Sequence, residues 1–263
     1  MGFEEDMARP AMIGAPEPLV CSVAHIGAGR GARIMGGMKS ICTRRCAEHS
    51  HPEIRLEYDS ALALTADALW LSDAVEMQVA AGERYQEGET FQVGWALTRF
   101  RKDPDGLLSL EEPDMTSVPI QWQRGVTRAL AHLRRQRDVV ASVLGTDVPA
   151  FPSLLQSCLV CTRVTHRDAS VMMAREVPEG NDSGWYIGCM DARHDHNDPA
   201  QLKRVSLYEA IAAHAPQAVG YLALPPGATA IVGKARPVIR VDNKELAFIP
   251  GSYLATRYRP TSS

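Results

Sequence analysis

Apolar and charged residues first fall into a regular order near Ile54, where Ile54-Arg55-Leu56-Glu57-Tyr58 alternates as a strand with one buried face does. Asp67 is placed to cap a helix running to about Gly82, with Leu71, Val75 and Val79 on one face. Phe91 to Phe100 reads as a strand and Leu107 to Leu110 as its partner. Asp103-Pro104-Asp105-Gly106 between them is turn chemistry, since Pro sets φ and Gly accepts a positive φ. A long helix is predicted from Gln121 to Leu144, its inner face formed by Val126, Leu130, Leu133, Val140 and Val143, with Gly145 ending it.

After a linker from Thr146 to Pro152 the pattern restarts. Cys158 to Val164 and Ser170 to Val177 read as strands joined by a His166-Arg167-Asp168 turn, and Trp185 to Met190 as a third. Ser206 is placed to cap a short helix through His214, closed by Pro216. Strands follow at Val219 to Leu224, Ala228 to Val232, 237–241 and 246–249. Runs of strands interrupted by single helices predict an α+β fold of two small domains, 52–149 and 150–263. Each is expected to be a mostly antiparallel sheet with one or two packed helices. Residues 1–51 hold Pro10, Pro16, Pro18 and several glycines without any sustained period, and read as a disordered leader in which only Leu19 to Ile26 suggests a strand.

Composition narrows the function classes. With 45% hydrophobic and 22% charged residues the chain of 263 is an ordinary globular one. A net charge of −3 gives no sign of general nucleic-acid or anionic-membrane binding, and no apolar run nears the ~20 residues of a spanning helix. The opening Met-Gly-Phe-Glu-Glu-Asp is acidic where a secretory signal is basic, so a cytoplasmic chain with reduced thiols is expected. Gly2 lacks the Ser or Thr at position 6 that myristoylation prefers. Charge is uneven: 52–149 carries net −6, against +1 before it and +2 after it.

Three clusters invite chemistry. Gly27-Ala28-Gly29-Arg30-Gly31-Ala32 fits a dinucleotide fingerprint formally, but Met35-Gly36-Gly37 interrupts the helix that would hold a pyrophosphate. Cys42-x3-Cys46-x2-His49-x-His51 and Cys158-x2-Cys161 have spacings that suit zinc, yet strand residues three apart point to opposite faces. Asp191-Ala-Arg-His194-Asp195-His196-Asn197-Asp198 is dense enough in carboxylates and imidazoles to bind a divalent metal or serve as acid and base, and equally reads as a solvated loop. No nucleophile with a base and orienter accompanies it, so no catalytic residue, cofactor or metal ligand is assigned. The alternative is a metal-dependent hydrolase or modification-reversing enzyme built on Asp191 to Asp198.

The last segment is Arg175-Glu176-Val177-Pro178-Glu179-Gly180-Asn181-Asp182-Ser183-Gly184-Trp185, a connection between two strands. Asp182 and Ser183 can bond local N–H groups, Gly184 permits an unusual φ, and Trp185 then enters the core. Arg175 can pair with Asp182 or with a turn carbonyl. Cys161-Thr162-Arg163-Val164-Thr165, Arg175-Glu176-x-Pro178, Asp182-Ser183-Gly184-Trp185 and Gly188 in that order resemble the polymorphic-toxin immunity proteins of family thirty-three, over about residues 155–230. Val219-x-x-Leu222-x-x-Pro225-x-Gly227 and Asn197-Asp198-Pro199 continue the likeness, while His194 and His196 depart from it. The resemblance implies a non-enzymatic antitoxin whose partner is a cognate toxin or secretion-system effector such as a nuclease, without direct nucleic-acid or membrane contact. Arg175, Glu176, Asp182, Ser183, Gly184 and Trp185 then read as structural. Contact with a cationic toxin is expected of Glu111, Glu112 and Asp114, and of Asp191, Asp195 and Asp198.

Overall fold

The computed structural model describes residues 37–145, 149–165, 170–196 and 198–259. The first sheet contains β1 (Met38–Cys42), β2 (Ile54–Asp59), β3 (Thr90–Val93), β4 (Ala96–Lys102), β5 (Leu108–Pro113) and the short β6 (Trp122–Arg124). Its order is β1-β2-β5-β4-β3, with β6 also on β5; β2 and β5 run parallel and the other pairs antiparallel. Helix α1 (Thr65–Ala80) lies between β2 and β3, and α2 (Thr127–Leu144) follows β6.

The second sheet contains β7 (Ser157–Cys161), β8 (Ser170–Arg175), β9 (Asp182–Gly188), β10 (Leu202–Ser206), β11 (Ala228–Gly233), β12 (Val238–Val241) and β13 (Lys244–Glu245). Their order is β10-β7-β9-β8-β11-β12-β13, with β7 and β9 the parallel pair. Between β10 and β11 run α3 (Leu207–Glu209), capped by the Ser206 hydroxyl, then a π-helical turn at Ala210–His214 and a 3-10 turn at Pro216–Tyr221. Helix α4 (Tyr253–Arg257) ends the described chain. The fold is thus α+β, with two sheets and few helices.

Several boundaries differ from those the periodicity predicts. The expected leader extends to residue 51, but Met38 to Cys42 is a strand that pairs with Arg55 to Asp59 of β2; residues 1–36, with the glycine-rich motif, Leu19 to Ile26 and Cys21, lie outside the described residues. Helix α1 starts at Thr65 with Leu64 at its cap, and Asp67 sits inside the first turn, where it pairs with Arg134. Phe91 to Phe100 is two strands: the chain reverses at Gly94, whose φ of +62° the sequence pattern did not mark as a turn. The stretch from Gln121 is a strand before it is a helix, broken at Gly125, where a Cβ would stand 2.7 Å from the Glu57 carbonyl oxygen. Val219 to Tyr221 is 3-10 helical and Leu222 to Leu224 a turn rather than a strand, and Lys244–Glu245 pairs with β12 in place of 246–249. The His166-Arg167-Asp168 turn lies outside the described residues.

Helix α2 packs on the first sheet and on the helical segments of the second half. At its start the Thr127 hydroxyl accepts from Asp59 N–H, and the Ala129 N–H donates to the buried Glu112 carboxylate at 2.8 Å. Further along, Gln136 Nε2 donates to the Val219 carbonyl, and the Ser142 carbonyl and hydroxyl accept from Ile249 N–H and Leu254 N–H. Its apolar face (Leu130, Leu133, Val139, Val140, Val143) joins one core that runs from Ile54 and Trp95 to Trp185 and Leu222.

Candidate functional site

The two ends of the Arg175–Trp185 connection are engaged within the fold, while residues 176–181 between them are exposed. Asp182 Oδ1 accepts from Gly184 N–H at 2.8 Å, an Asx turn, and its other oxygen pairs with Arg204. The Ser183 hydroxyl donates to the Ser157 carbonyl at 2.8 Å, which ties β9 to β7. Gly184 has φ of +75°, and a Cβ there would fall 2.2 Å from the Glu176 carbonyl oxygen, so no other residue fits. Trp185 is 1% exposed and donates its indole N–H to the Leu222 carbonyl at 3.1 Å. Arg175, 5% exposed, pairs with carbonyls and not with Asp182: its guanidinium donates to Ala150, Leu224, Leu222 and Ser183 and lies 5.4 Å over the Trp185 ring. Burial without a carboxylate pulls its pKa down to about 10. Glu176, by contrast, is exposed.

The acidic candidates separate into two groups. Glu111 and Glu112 are 5% and 3% exposed and do not form an outer acidic face. Glu111 pairs with Arg99 and Arg101 across the β4–β5 ladder, and Glu112 accepts from the first N–H groups of α2. Their position on β5, a strand buried along its whole length, is what turns them inward. Burial pushes Glu112 up to about 7, against the pull of the α2 N-terminus. Asp114, just past β5, is half-buried, bonds Thr116 through its carboxylate, and accepts from Tyr208 through its carbonyl.

Asp191, Asp195 and Asp198 lie on the loop between β9 and β10. Asp191 is held below the usual carboxylate range, chiefly by Arg193 N–H and then its guanidinium, and also pairs with Arg163. Asp195 is exposed, and Asp198 caps a 3-10 turn by accepting from Ala200 N–H. Asn197 lies outside the described residues.

The same loop turns its two histidines inward, against two cysteines. Cys161 ends β7 and Cys189 immediately follows β9; because these strands are parallel neighbours, both thiols emerge at one end of the sheet. His194 Nδ1 lies 3.2 Å from Cys161 Sγ and 3.3 Å from Cys189 Sγ, and His196 Nε2 lies 3.2 Å from Cys189 Sγ. Cys161, Cys189 and His194 are buried and His196 half-buried.

This grouping draws on two clusters that the sequence presents separately, and Cys189 was missing from both. The signal was the local spacing Cys189-x4-His194-x-His196; what lay out of sight was the parallel pairing that delivers Cys161. Cys158 is buried but is no member of the group. Among the described residues, Cys42, Cys46, His49 and His51 are not brought together as such a set; the His51 ring is occupied by the Pro52 carbonyl and Tyr85 N–H.

Residues 135–240 match the model of the Imm33-like domain family. The match begins within α2 and ends in β12, and so contains the Arg175–Trp185 connection and the Cys/His group. No curated protein and no solved structure matches the chain.

Proposed function

We propose that the chain is an immunity protein that binds and neutralises a cognate bacterial toxin or secretion-system effector, without catalysing a reaction. The Imm33-like domain at residues 135–240 carries this reading. The interior of that domain supports it: Arg175, Asp182, Ser183 and Trp185 are spent on backbone groups and ion pairs, and none stands as a nucleophile beside a base. The target is an intracellular toxin such as a nuclease, and inhibition takes place in the cytoplasm of the producing cell, as in type VI-type bacterial competition. No helix among the described residues is long and apolar enough to cross a membrane.

With Glu111 and Glu112 inside the fold, toxin contact falls to other surfaces. Asp191, Asp195 and Asp198 offer one, on a loop at the end of the second sheet. A second is the outer face of α1 and the residues before it, where Leu62, Leu69, Trp70 and Met77 are exposed, Trp70 at 46% and Met77 at 62%. Exposed apolar side chains grouped on one helix face are the usual mark of a protein-binding surface, and Trp is a common anchor there. Beside Trp70 a cavity of about 1020 Å³ reaches α2 through Arg134, Arg137 and Asp138.

Co-expression with the product of the neighbouring reading frame tests the function. Rescue of growth and a stoichiometric complex are expected; growth arrest unrelieved by the protein in the presence of that product counts against the reading. Trp70→Ala and the pair Asp191→Lys with Asp198→Lys then assign the surface: the one that weakens the complex in a stable protein is the contact.

A further inference from the structure

We propose that Cys161, Cys189, His194 and His196 are the four ligands of a single structural zinc ion. Their donor atoms all lie within 4.8 Å of one another. The three sulfur–nitrogen separations are 3.2, 3.3 and 3.2 Å. Zinc with tetrahedral bonds of about 2.3 Å to sulfur and about 2.0–2.1 Å to nitrogen sets such an edge at about 3.5 Å, so seating the ion opens the three short edges by a few tenths of an ångström and closes the widest separation by about 1 Å. Tetrahedral S2N2 donor sets favour zinc among the common divalent metals.

Hydrogen bonding alone accounts poorly for the convergence. His194 Nε2 faces the Gln201 Oε1 at 3.1 Å, which places the ring proton on Nε2 and leaves one lone pair on Nδ1. That single lone pair lies within reach of both sulfurs. A thiol proton satisfies one such contact, whereas a cation between the groups satisfies all of them. The Gln201 contact is also the outer-shell partner that a metal-bound imidazole ordinarily has.

The backbone prepares the sulfurs for negative charge. Arg163 N–H donates to Cys161 Sγ at 3.4 Å, and Asp191 N–H makes the corresponding contact with Cys189. Each donor lies two residues after its cysteine, so both thiolates are held by the same local turn. Two thiolates neutralise a divalent ion, and a buried site then carries no net charge. All four positions come from the protein, which leaves no open position for water and makes the site structural rather than hydrolytic. A hydrolase built on this loop would need that open position.

The ion joins the end of β7, the end of β9 and the loop that carries Asp191, Asp195 and Asp198. Zinc content is measured without any toxin, so its failure leaves the immunity reading untouched, and the reverse also holds.

The test uses the full chain, purified anaerobically under reducing conditions, with zinc alone as the probe. Elemental analysis should give about one zinc per chain, as tight structural sites do, with the same value in Cys42→Ser. Cys189→Ser and His196→Asn should each hold less than about a tenth of that. His196 is half-buried, so His196→Asn is the variant that keeps its fold, checked by circular dichroism. Cobalt added to the metal-free chain should show the visible bands of a tetrahedral ion together with thiolate charge transfer, and Cys189→Ser should lose the latter. Full zinc in both variants overturns the proposal. So does a reduced wild-type chain that takes up neither zinc nor cobalt, or one that holds iron in place of zinc.

Discussion

In the first sheet the buried ionic groups are carboxylates, Asp103, Glu111 and Glu112, while in the second the corresponding group is a cation, Arg175. Asp103 is shared among Arg55, Arg101 and Arg124, and Glu111 between Arg99 and Arg101. The arginines are half-exposed, so each carboxylate has several partners, most of them near water. Arg175 stands alone: one guanidinium serves four carbonyls from three segments. A shared network spreads the cost of losing a member, whereas a single hub concentrates it. The abundance of acid in the first half therefore signals internal wiring as much as a charged exterior, and the sparse charge inside the second half marks its most vulnerable point.

The largest effect is expected at the partner of that hub. Trp185→Ala removes a side chain that fills the core, bonds Leu222 and stacks under Arg175, and should lower stability by about 3–5 kcal/mol in chemical denaturation. If a stable Trp185→Ala protein lost only toxin binding, its role would be contact and not architecture. Arg175→Met comes next: it keeps the apolar stem but orphans buried carbonyls, at an expected cost of about 2–3 kcal/mol. A change no larger than that of Arg101→Ala would erase the distinction between hub and network.

Glu112→Gln separates the halves by pH. The folded chain keeps the Glu112 proton up to about 7, whereas an unfolded glutamate releases it near 4.5. Between those values the folded state binds the extra proton, so this group's contribution is complete below 4.5 and declines as pH rises through about 7. Unfolding free energies of wild type and Glu112→Gln, from chemical denaturation, should therefore diverge in favour of the variant from pH 5 to pH 8, by as much as about 3 kcal/mol. A pH-independent difference would mean that the α2 N-terminus outweighs burial. The smallest effect is expected for Arg101→Ala: with Arg55, Arg99 and Arg124 still in place, a loss of about 0–1 kcal/mol in the same denaturation assay is predicted.

Local chemistry made much of this fold legible. The Ile54 alternation, the turn at Asp103 to Gly106, the Ser206 cap and the stop at Gly145 are each written within a few neighbouring residues. Features that depend on distant partners were not. β6 exists because Trp122 to Arg124 pairs with β5, and the reversal at Gly94 looks like continuous strand in a run from Phe91 to Phe100. Glu111 and Glu112 appear solvent-facing in sequence, since their burial depends on Arg99, Arg101 and the start of α2. The Cys/His group illustrates the same limit: its residue types were visible, but not the parallel β7–β9 pairing that unites them.

Helix α2 has a further consequence for how the molecule comes apart. It is anchored by Glu112 at one end and bonded to Val219, Ile249 and Leu254 further along, so it cannot leave the first sheet without also losing the segments that follow β10 and β13. The two halves are therefore expected to melt together, in a single calorimetric transition. Severing the chain after residue 149 would part α2 from the 3-10 turn at Pro216–Tyr221 and from α4, the segments of the second half that it packs against.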